Sequence, residues 1–413
     1  MVTAKVAVLG AGAVGIACAL YLQREGHDVL LIDRDEPARG CSFGNAGLIQ
    51  CSSVVPIAMP GILRAVPRML LDPDQPLVVR WRHLPSLAPY LLRFMKEASA
   101  GRAEANSRAL AAIIPTSFDA YRPLIQAAGI GDMVRRSGEL YVYETQAAFA
   151  AAAGNLAMRR ARDVEVQLLT GREARELEPA LSPAIERAVF LPNSYQTVNP
   201  YRFVAALAGH FSGSGGRVLQ AEIRDIARTD TGFALATEKG SVTADQIVVA
   251  LGAFSKPFAR QLGCTIPLDS ERGYHLRLPM PEIRLQRTIL SGDYRFAMAP
   301  SDDAIVLAGT AELAAVGAPP ELARARRLLP LAQRLLPGLA ADGATTWMGH
   351  RPSTPDSLPV IGRSPRHRNA IFAFGHGHSG LTLAGVTGRI VADLVAERRS
   401  DIDLAPYRPD RFR

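Results

Sequence analysis

Lysine is scarce in this chain: of 47 basic residues only Lys5, Lys96, Lys239 and Lys256 are lysines, and the rest are arginine. The arginine fork suits a bidentate grip on carboxylate or phosphate, although a high arginine share also follows genome composition. Cysteine is scarce too. Cys18, Cys41, Cys51 and Cys264 form no C-x-x-C pair and fall short of a disulfide scaffold, which fits a reducing compartment. The sequence has no zinc-finger spacing, no basic-region helix and no aromatic-rich RNA-binding run. The net charge of +8 therefore argues for a carboxylate substrate, a phosphorylated cofactor or an acidic membrane surface rather than nucleic acid. Internal repeats and low-complexity tracts are also missing. The run from Val6 to Leu22 is apolar enough to mimic a signal peptide. It is punctuated by three spaced glycines and closes on Gln23, Arg24 and Glu25, so it reads as strand, turn and helix. No other uninterrupted stretch is long enough for a confident membrane span.

What is present is enough for two domains, each with its own core: 413 residues, 48% hydrophobic and 21% charged. Residues 5–9 and 28–33 are short apolar runs of the kind buried on both faces of a parallel sheet. Residues 13–25 between them favour helix, with Gly26 as the stop, which makes a βαβ unit. From Pro56 to about Ser99 the chain turns proline-rich, apolar and basic, and short helices joined by proline breaks are predicted. Residues 102–129 and 145–164 read as helices, with Gly138–Tyr143 alternating like a strand between them. Further helices are predicted over 200–213, 318–337 and 380–398, and strands over 217–220, 246–251, 273–280, 295–299, 304–309 and 370–374, with a β-meander over 222–237. The predicted architecture is α/β: a Rossmann-like parallel-sheet domain from 1–55, 195–265 and 345–413. It is interleaved with an α+β domain on a mostly antiparallel sheet from 56–194 and 266–344.

Gly10-Ala-Gly-Ala-Val-Gly15 follows the first strand and opens the first helix. In G-x-G-x-x-G the first glycine makes the tight turn, the second lets backbone approach a pyrophosphate, and the third lets helix and strand pack closely. The helix start at Ala13 and Val14 then offers N–H groups and a partial positive charge to phosphates. Asp33, next to Arg34, ends the second strand where an acid can accept ribose hydroxyls. These residues specify an ADP-containing dinucleotide and leave open which one. The loop Cys41-Ser-Phe-Gly-Asn-Ala-Gly47, with Ser42, Asn45, Ala46, Gly47 and then Leu48, is rich in backbone and small groups able to lie against a pyrophosphate or a flat ring.

The run from Gly10 to Gly47 resembles the opening of the D-amino-acid dehydrogenase and glycine/sarcosine oxidase family of flavoproteins. Two later motifs agree: Ala250-Leu-Gly-Ala-Phe-Ser255, and Gly349-His-Arg-Pro-Ser-Thr-Pro-Asp-Ser-Leu-Pro-Val-Ile-Gly362. The resemblance spans nearly the whole chain and is least specific over 56–194. It implies FAD as the cofactor, with Ala250 and Gly252 at a strand-to-flavin turn and Ile223 lining the adenine site or simply the core. It implies that the turn in Phe374-Gly-His-Gly-His-Ser-Gly-Leu-Thr382, through Gly377, His378, Gly380, Leu381 and Thr382, lies at the flavin pyrimidine end. There its amides would steady the anion of the reduced ring. His376 and His378, two apart with no further ligands nearby, do not make a metal site. The resemblance also implies that Arg351 binds the substrate carboxylate, a role a planar fork performs well. Tyr274, His275 and Tyr294 fall where family members have pocket-facing strands; half-buried sheet aromatics are the plain alternative. Sarcosine oxidases of that family often carry covalent flavin on a cysteine in the C-terminal half, whereas the last cysteine here, Cys264, comes well before the Arg351 motif, so non-covalent FAD is expected.

The expected reaction is hydride transfer from Cα of a D-amino acid to flavin N5, with orientation and a dry pocket doing more than any general base. The Gly-His-Gly-His-Ser-Gly-Leu-Thr run resembles the branch acting on D-proline-type substrates, including cis-4-hydroxy-D-proline. The rivals are a glycine or sarcosine-type amine oxidase using oxygen, an NAD-dependent dehydrogenase, and a non-catalytic flavin-binding protein. The 56–96 segment is read as a pocket lid, as a peripheral membrane contact passing electrons to quinone or the respiratory chain, or as a helical cap packed on the second domain. The expected location is the cytoplasm, with membrane contact on the inner face of a bacterial plasma membrane.

Overall fold

The computed structural model describes residues 2–62, 77–280 and 282–412. The first sheet has eight strands. Its parallel part runs Arg217–Gln220, Val29–Asp33, Val2–Leu9, Gly240–Val249 and Ala370–Phe374 in spatial order. The Gly240–Val249 strand divides its partners. Its first half, Gly240 to Ala244, pairs antiparallel with Phe233–Thr237, while Ile247 to Val249 pair parallel with Ala370 to Phe372. The predicted meander and the buried strand at 246–251 are thus one continuous ladder. The strands of this layer are apolar on both faces, as parallel strands covered by helices must be. Val6, Val8, Leu31 and Val248 pack under the helices Ala13–Arg24, Pro200–Gly213 and Gly380–Val395. Ala7, Leu9, Leu30 and Val249 face a second cluster with Phe233, Leu235 and Phe372.

Among the described residues the second sheet has nine strands and is antiparallel except for two pairings. Thr288–Ser291 lies parallel to Glu139–Tyr143, and Leu77–Val79 lies parallel to Ala304–Leu313. One edge is formed by Thr345–Ser353, paired antiparallel with Asp269–Pro279. A small third sheet joins Leu48–Gln50, Ser194–Thr197 and Val134–Arg136.

Several helices differ from the sequence expectation. The predicted 102–129 helix is two, Ala100–Ile113 and Ser117–Ala128, divided at Pro115, which has no N–H to carry the ladder on. The predicted 145–164 helix is likewise two, Gln146–Ala151 and Ala153–Arg160. The predicted 318–337 helix is also two pieces, Ala323–Arg326 and Leu328–Leu335. Part of the basic 56–96 segment, residues 63–76, lies outside the described residues. Beyond it, Leu84–Glu97 is one helix running through Pro89 rather than a set of broken pieces. It buries Leu87 and Tyr90 against Val79 and Leu313 of the second sheet and leaves Leu92 and Met95 exposed. Burial of that face outweighs the one ladder bond Pro89 removes. Among the described residues no helix is long and apolar enough to cross a membrane.

Candidate active site

The turn after the first strand shows why glycine is needed there. Gly10 has φ +107°, and a Cβ on it would run into the carbonyl of Ala250; a Cβ on Gly15 would strike the Gly10 carbonyl. The helix beginning at Ala13 has no side-chain cap of its own, but Ser42 Oγ accepts from Ala13 N at 3.0 Å. Asp33 accepts from Ala11 N at 2.6 Å and from Asp35 N at 3.1 Å. Burial pushes the Asp33 carboxyl above the ordinary aspartate value, with the two amide bonds pulling the other way. An acid, a helix N-terminus and a backbone-only turn therefore meet along one wall.

That wall belongs to a cavity of about 720 Å³. At one end stand Asp33, Arg34 and Ile223; Gly10, Gly12, Ala13, Val14, Ser42, Asn45, Ala46, Leu48, Ala250 and Gly252 follow. Gly377, His378, Gly380 and Leu381 close the far end with Arg351, Tyr274 and His275. The turn at both ends of the chain and the mid-chain strand end thus converge on one space. Four expected site residues do not line it. Gly15 sits beneath the turn against Gly10. Gly47, at φ +75°, is tied to Asn45 Oδ1 through its N–H (2.8 Å) and accepts from Thr197 N (2.8 Å). Thr382 is buried and accepts from Gln50 N at 3.0 Å, holding the last helix to the third sheet. Tyr294 packs on the core of the second sheet under the Arg334 guanidinium, because the turn at Ser291–Arg295 carries it away from the cavity. Tyr274 touches the cavity, but its hydroxyl donates to Glu312 Oε2 at 2.6 Å and is not offered to a ligand. Cys264 lies in the core beside Phe258 and Ile266, away from the cavity.

The Thr345–Ser353 strand, which the sequence reading did not foresee, organises the far end. Its register sets Arg351 opposite Glu271, Gly349 opposite Gly273 and Trp347 opposite His275. Side chains two apart share a face, so Trp347, Gly349 and Arg351 form one row beside Glu271, Gly273 and His275. The Trp347 ring is flanked by the backbones of Gly44 and Gly349, where a Cβ would overlap it. It stacks on His275 with centroids 5.0 Å apart. Arg351 lies over Gly273, the position on which no side chain fits beneath the guanidinium. Its Nη1 donates to Glu271 Oε1 at 3.3 Å and to the Thr310 carbonyl at 3.4 Å. Glu271 is 8% exposed and also takes His378 Nε2 at 2.7 Å and Ser353 Oγ at 3.1 Å. Burial works to raise its carboxyl, but His378, Arg351 and Ser353 together hold it down at about 2. Neither Trp347 nor Glu271 was among the sequence candidates. Counting back in twos from Arg351 would have reached Trp347, whereas Glu271 required the strand pairing.

A dinucleotide cradle opening onto a cleft with an anchored guanidinium defines the class: an oxidoreductase working through a bound dinucleotide. The chain belongs to the FAD dependent oxidoreductase family, whose profile matches residues 5–394. It is 36% identical over 417 residues to the D-amino-acid oxidase of Bradyrhizobium diazoefficiens, with 98% of each chain covered. It is 33% identical to the D-amino acid dehydrogenase of Paramagnetospirillum magneticum, with 99% of each covered. The glycine oxidase structure from Geobacillus kaustophilus has the same fold, with TM-score 0.76 at 24% identity over 100% of this chain and 99% of that one. The protein is an FAD-dependent oxidoreductase. The cradle fits that cofactor: the Gly10–Gly15 turn and the Ala13 helix start would hold its pyrophosphate, Asp33 its ribose, and the Gly377–Leu381 turn its ring end.

Proposed function

We propose that this enzyme oxidises the Cα–N bond of a D-amino acid, with D-proline or cis-4-hydroxy-D-proline as the preferred type. The observation that carries the reading is Arg351, a cation held at the cavity end by Glu271, the Thr310 carbonyl and the bare backbone of Gly273. A guanidinium fixed along one edge has donors left for an α-carboxylate, and a carboxylate so gripped has its Cα set in one place. Bound FAD supplies the acceptor for the Cα hydride. The aromatic wall of Trp347 and His275 keeps water from that end of the cleft. An imino acid released from the cleft hydrolyses to keto acid and ammonia, or stays a cyclic imine if the substrate is a proline. The D configuration is supported by the D-amino-acid activities named for the 36% and 33% identical relatives, and the proline type by the Gly375–Thr382 run.

Electrons then pass to a respiratory acceptor. Leu92 and Met95 are exposed on the Leu84–Glu97 helix beside the exposed Lys96, a composition suited to an anionic membrane surface carrying a quinone. The oxidase name of the 36% identical relative favours oxygen as the rival acceptor. The test is anaerobic bleaching of the flavin by D-alanine, D-proline, cis-4-hydroxy-D-proline, sarcosine and glycine, each chiral substrate beside its L form. Bleaching by D forms, followed by faster reoxidation with a quinone than with air, is expected. Equal bleaching by L forms overturns the stereochemistry, and rapid reoxidation by air overturns the acceptor.

A further inference from the structure

An amino acid at neutral pH carries an ammonium group, and its Cα hydride can leave only once the nitrogen has a lone pair to share. Four histidines stand around the cavity, and three are committed elsewhere. His275 Nδ1 is 3.1 Å from the Gly44 carbonyl, and burial lowers its pKa. His350 Nδ1 is 2.8 Å from Ser270 Oγ and is pushed down to about 4 by burial. His376 Nε2 is 3.0 Å from Thr387 Oγ1 and is pushed down to about 3 by burial. His378 is different. Its side chain is 49% exposed and it lines the cavity, and its Nε2 is fixed 2.7 Å from Glu271 Oε1.

An ionised carboxylate can only accept. Glu271 therefore requires a hydrogen on Nε2, which leaves Nδ1 as the lone-pair nitrogen of the neutral ring. A buried carboxylate that fixes an imidazole tautomer also steadies the imidazolium that forms when the ring takes a proton. The same oxygen, Glu271 Oε1, accepts from Arg351 Nη1. The carboxylate grip and the imidazole are thus neighbours, as are the carboxylate and the amine on a single Cα.

We propose that His378, oriented by Glu271, is the base that removes a proton from the substrate ammonium. In this step an N–H bond of the ammonium breaks and its electron pair stays on nitrogen. The proton forms a new bond to Nδ1, and the imidazolium charge is balanced by Glu271; no electron changes hands. The group bonded to His378 is Glu271 from the Asp269–Pro279 strand; around Glu271 are Arg351 from the Thr345–Ser353 strand, on the same oxygen, and Tyr90 of the Leu84–Glu97 helix, while His350 and His376 line the same cavity. Asp269, further along its strand, is engaged by His83, and residues 380–388 of the last helix carry no titratable side chain. Glu271 is a positioning residue; His378 is the group that meets substrate.

The inference rests on amino-acid oxidation as the reaction, and its test separates the two. In FAD-loaded H378Q, kcat/KM for the substrate that bleaches wild type should fall about 100-fold near pH 7. The deficit should close as pH approaches the pKa of the substrate ammonium, where free amine needs no base. Acetate binding, followed through the flavin absorbance, should be unchanged, and imidazole added to H378A should restore turnover at pH 7. A loss of equal size at every pH, a matching drop in acetate affinity or no loss at all overturns the proposal. A wild-type flavin that no amino acid bleaches sinks the parent reading, and this one with it.

Discussion

At the scale of single residues, the far end of the cavity depends on two positions that act through one guanidinium. Arg351→Met removes charge-assisted hydrogen bonds worth about 3 kcal/mol to a bound carboxylate, and kcat/KM should fall about 100-fold. The flavin should stay bound, because nothing in the Gly10–Gly15 turn or at Asp33 is touched. An apo protein after R351M would show that Arg351 serves the cofactor instead. Gly273→Ala reaches the same group from below. The added methyl would occupy the space of the guanidinium, so Arg351 must swing off Glu271 while an ordinary strand conformation still accepts alanine. The expected signature is a loss of at least about tenfold in kcat/KM, within the range of one charged hydrogen bond, with thermal stability close to wild type. Wild-type kinetics in G273A would mean that the guanidinium has room to spare.

At the scale of elements, the Asp269–Pro279 strand separates chemistry from support by its two-residue period. Glu271, Gly273 and His275 face Arg351 and Trp347, while Arg272 and Tyr274 both reach Glu312. Arg272 is fully buried and donates to the carbonyls of Ala315, Ala318 and Pro319. It thereby fixes the loop that brings Val316 to the cavity. Arg272→Met strands those carbonyls and leaves Glu312 to Arg80 and Tyr274, at a cost of about 3 kcal/mol. A lowered melting temperature with a raised KM is expected, and a melting temperature equal to wild type would mean that the loop holds without its arginine. The contrast also explains what could be read from sequence. The βαβ unit, the Pro200–Gly213 helix and the Ala370–Phe374 strand were legible because buried parallel strands and capped helices write continuous local patterns. The dinucleotide cradle was legible for the same reason, since its turn, helix and acid lie within 33 residues. The Thr345–Ser353 strand was not: glycine, histidine, arginine and proline obscure its alternation, and its strand character comes from pairing with residues some 80 positions away. Tyr294 was misplaced because a turn, not a strand, carries it. The helix breaks at 113–117 and 326–328 are set by proline and tertiary packing rather than by composition.

At the scale of the whole molecule, the histidines that line the cavity, His376 buried and His350 half-buried, make the fold sensitive to acid. His376 and His350 are neutral in the folded chain because burial holds them at about 3 and about 4. In the unfolded chain each titrates near the ordinary histidine value of about 6.5. Below that value the unfolded state binds protons the folded state refuses, so stability falls with falling pH. The loss begins near pH 6.5 and continues until each ring's folded value is reached, at about 1.4 kcal/mol per pH unit for the buried His376 and less for the half-buried His350, where solvent screens the effect. Glu271 adds to this only lower down, since its carboxylate stabilises the fold above the ordinary glutamate value and that contribution fades toward about 2. Between pH 7 and 5 the melting temperature should therefore drop through the histidines and not through Glu271. His376→Gln tests this, because an amide can keep a bond to Thr387 without taking a proton. The variant's melting temperature should fall less steeply than that of wild type between pH 6.5 and 5. A slope as steep as wild type would mean that His376 is not the group through which acid weakens the fold.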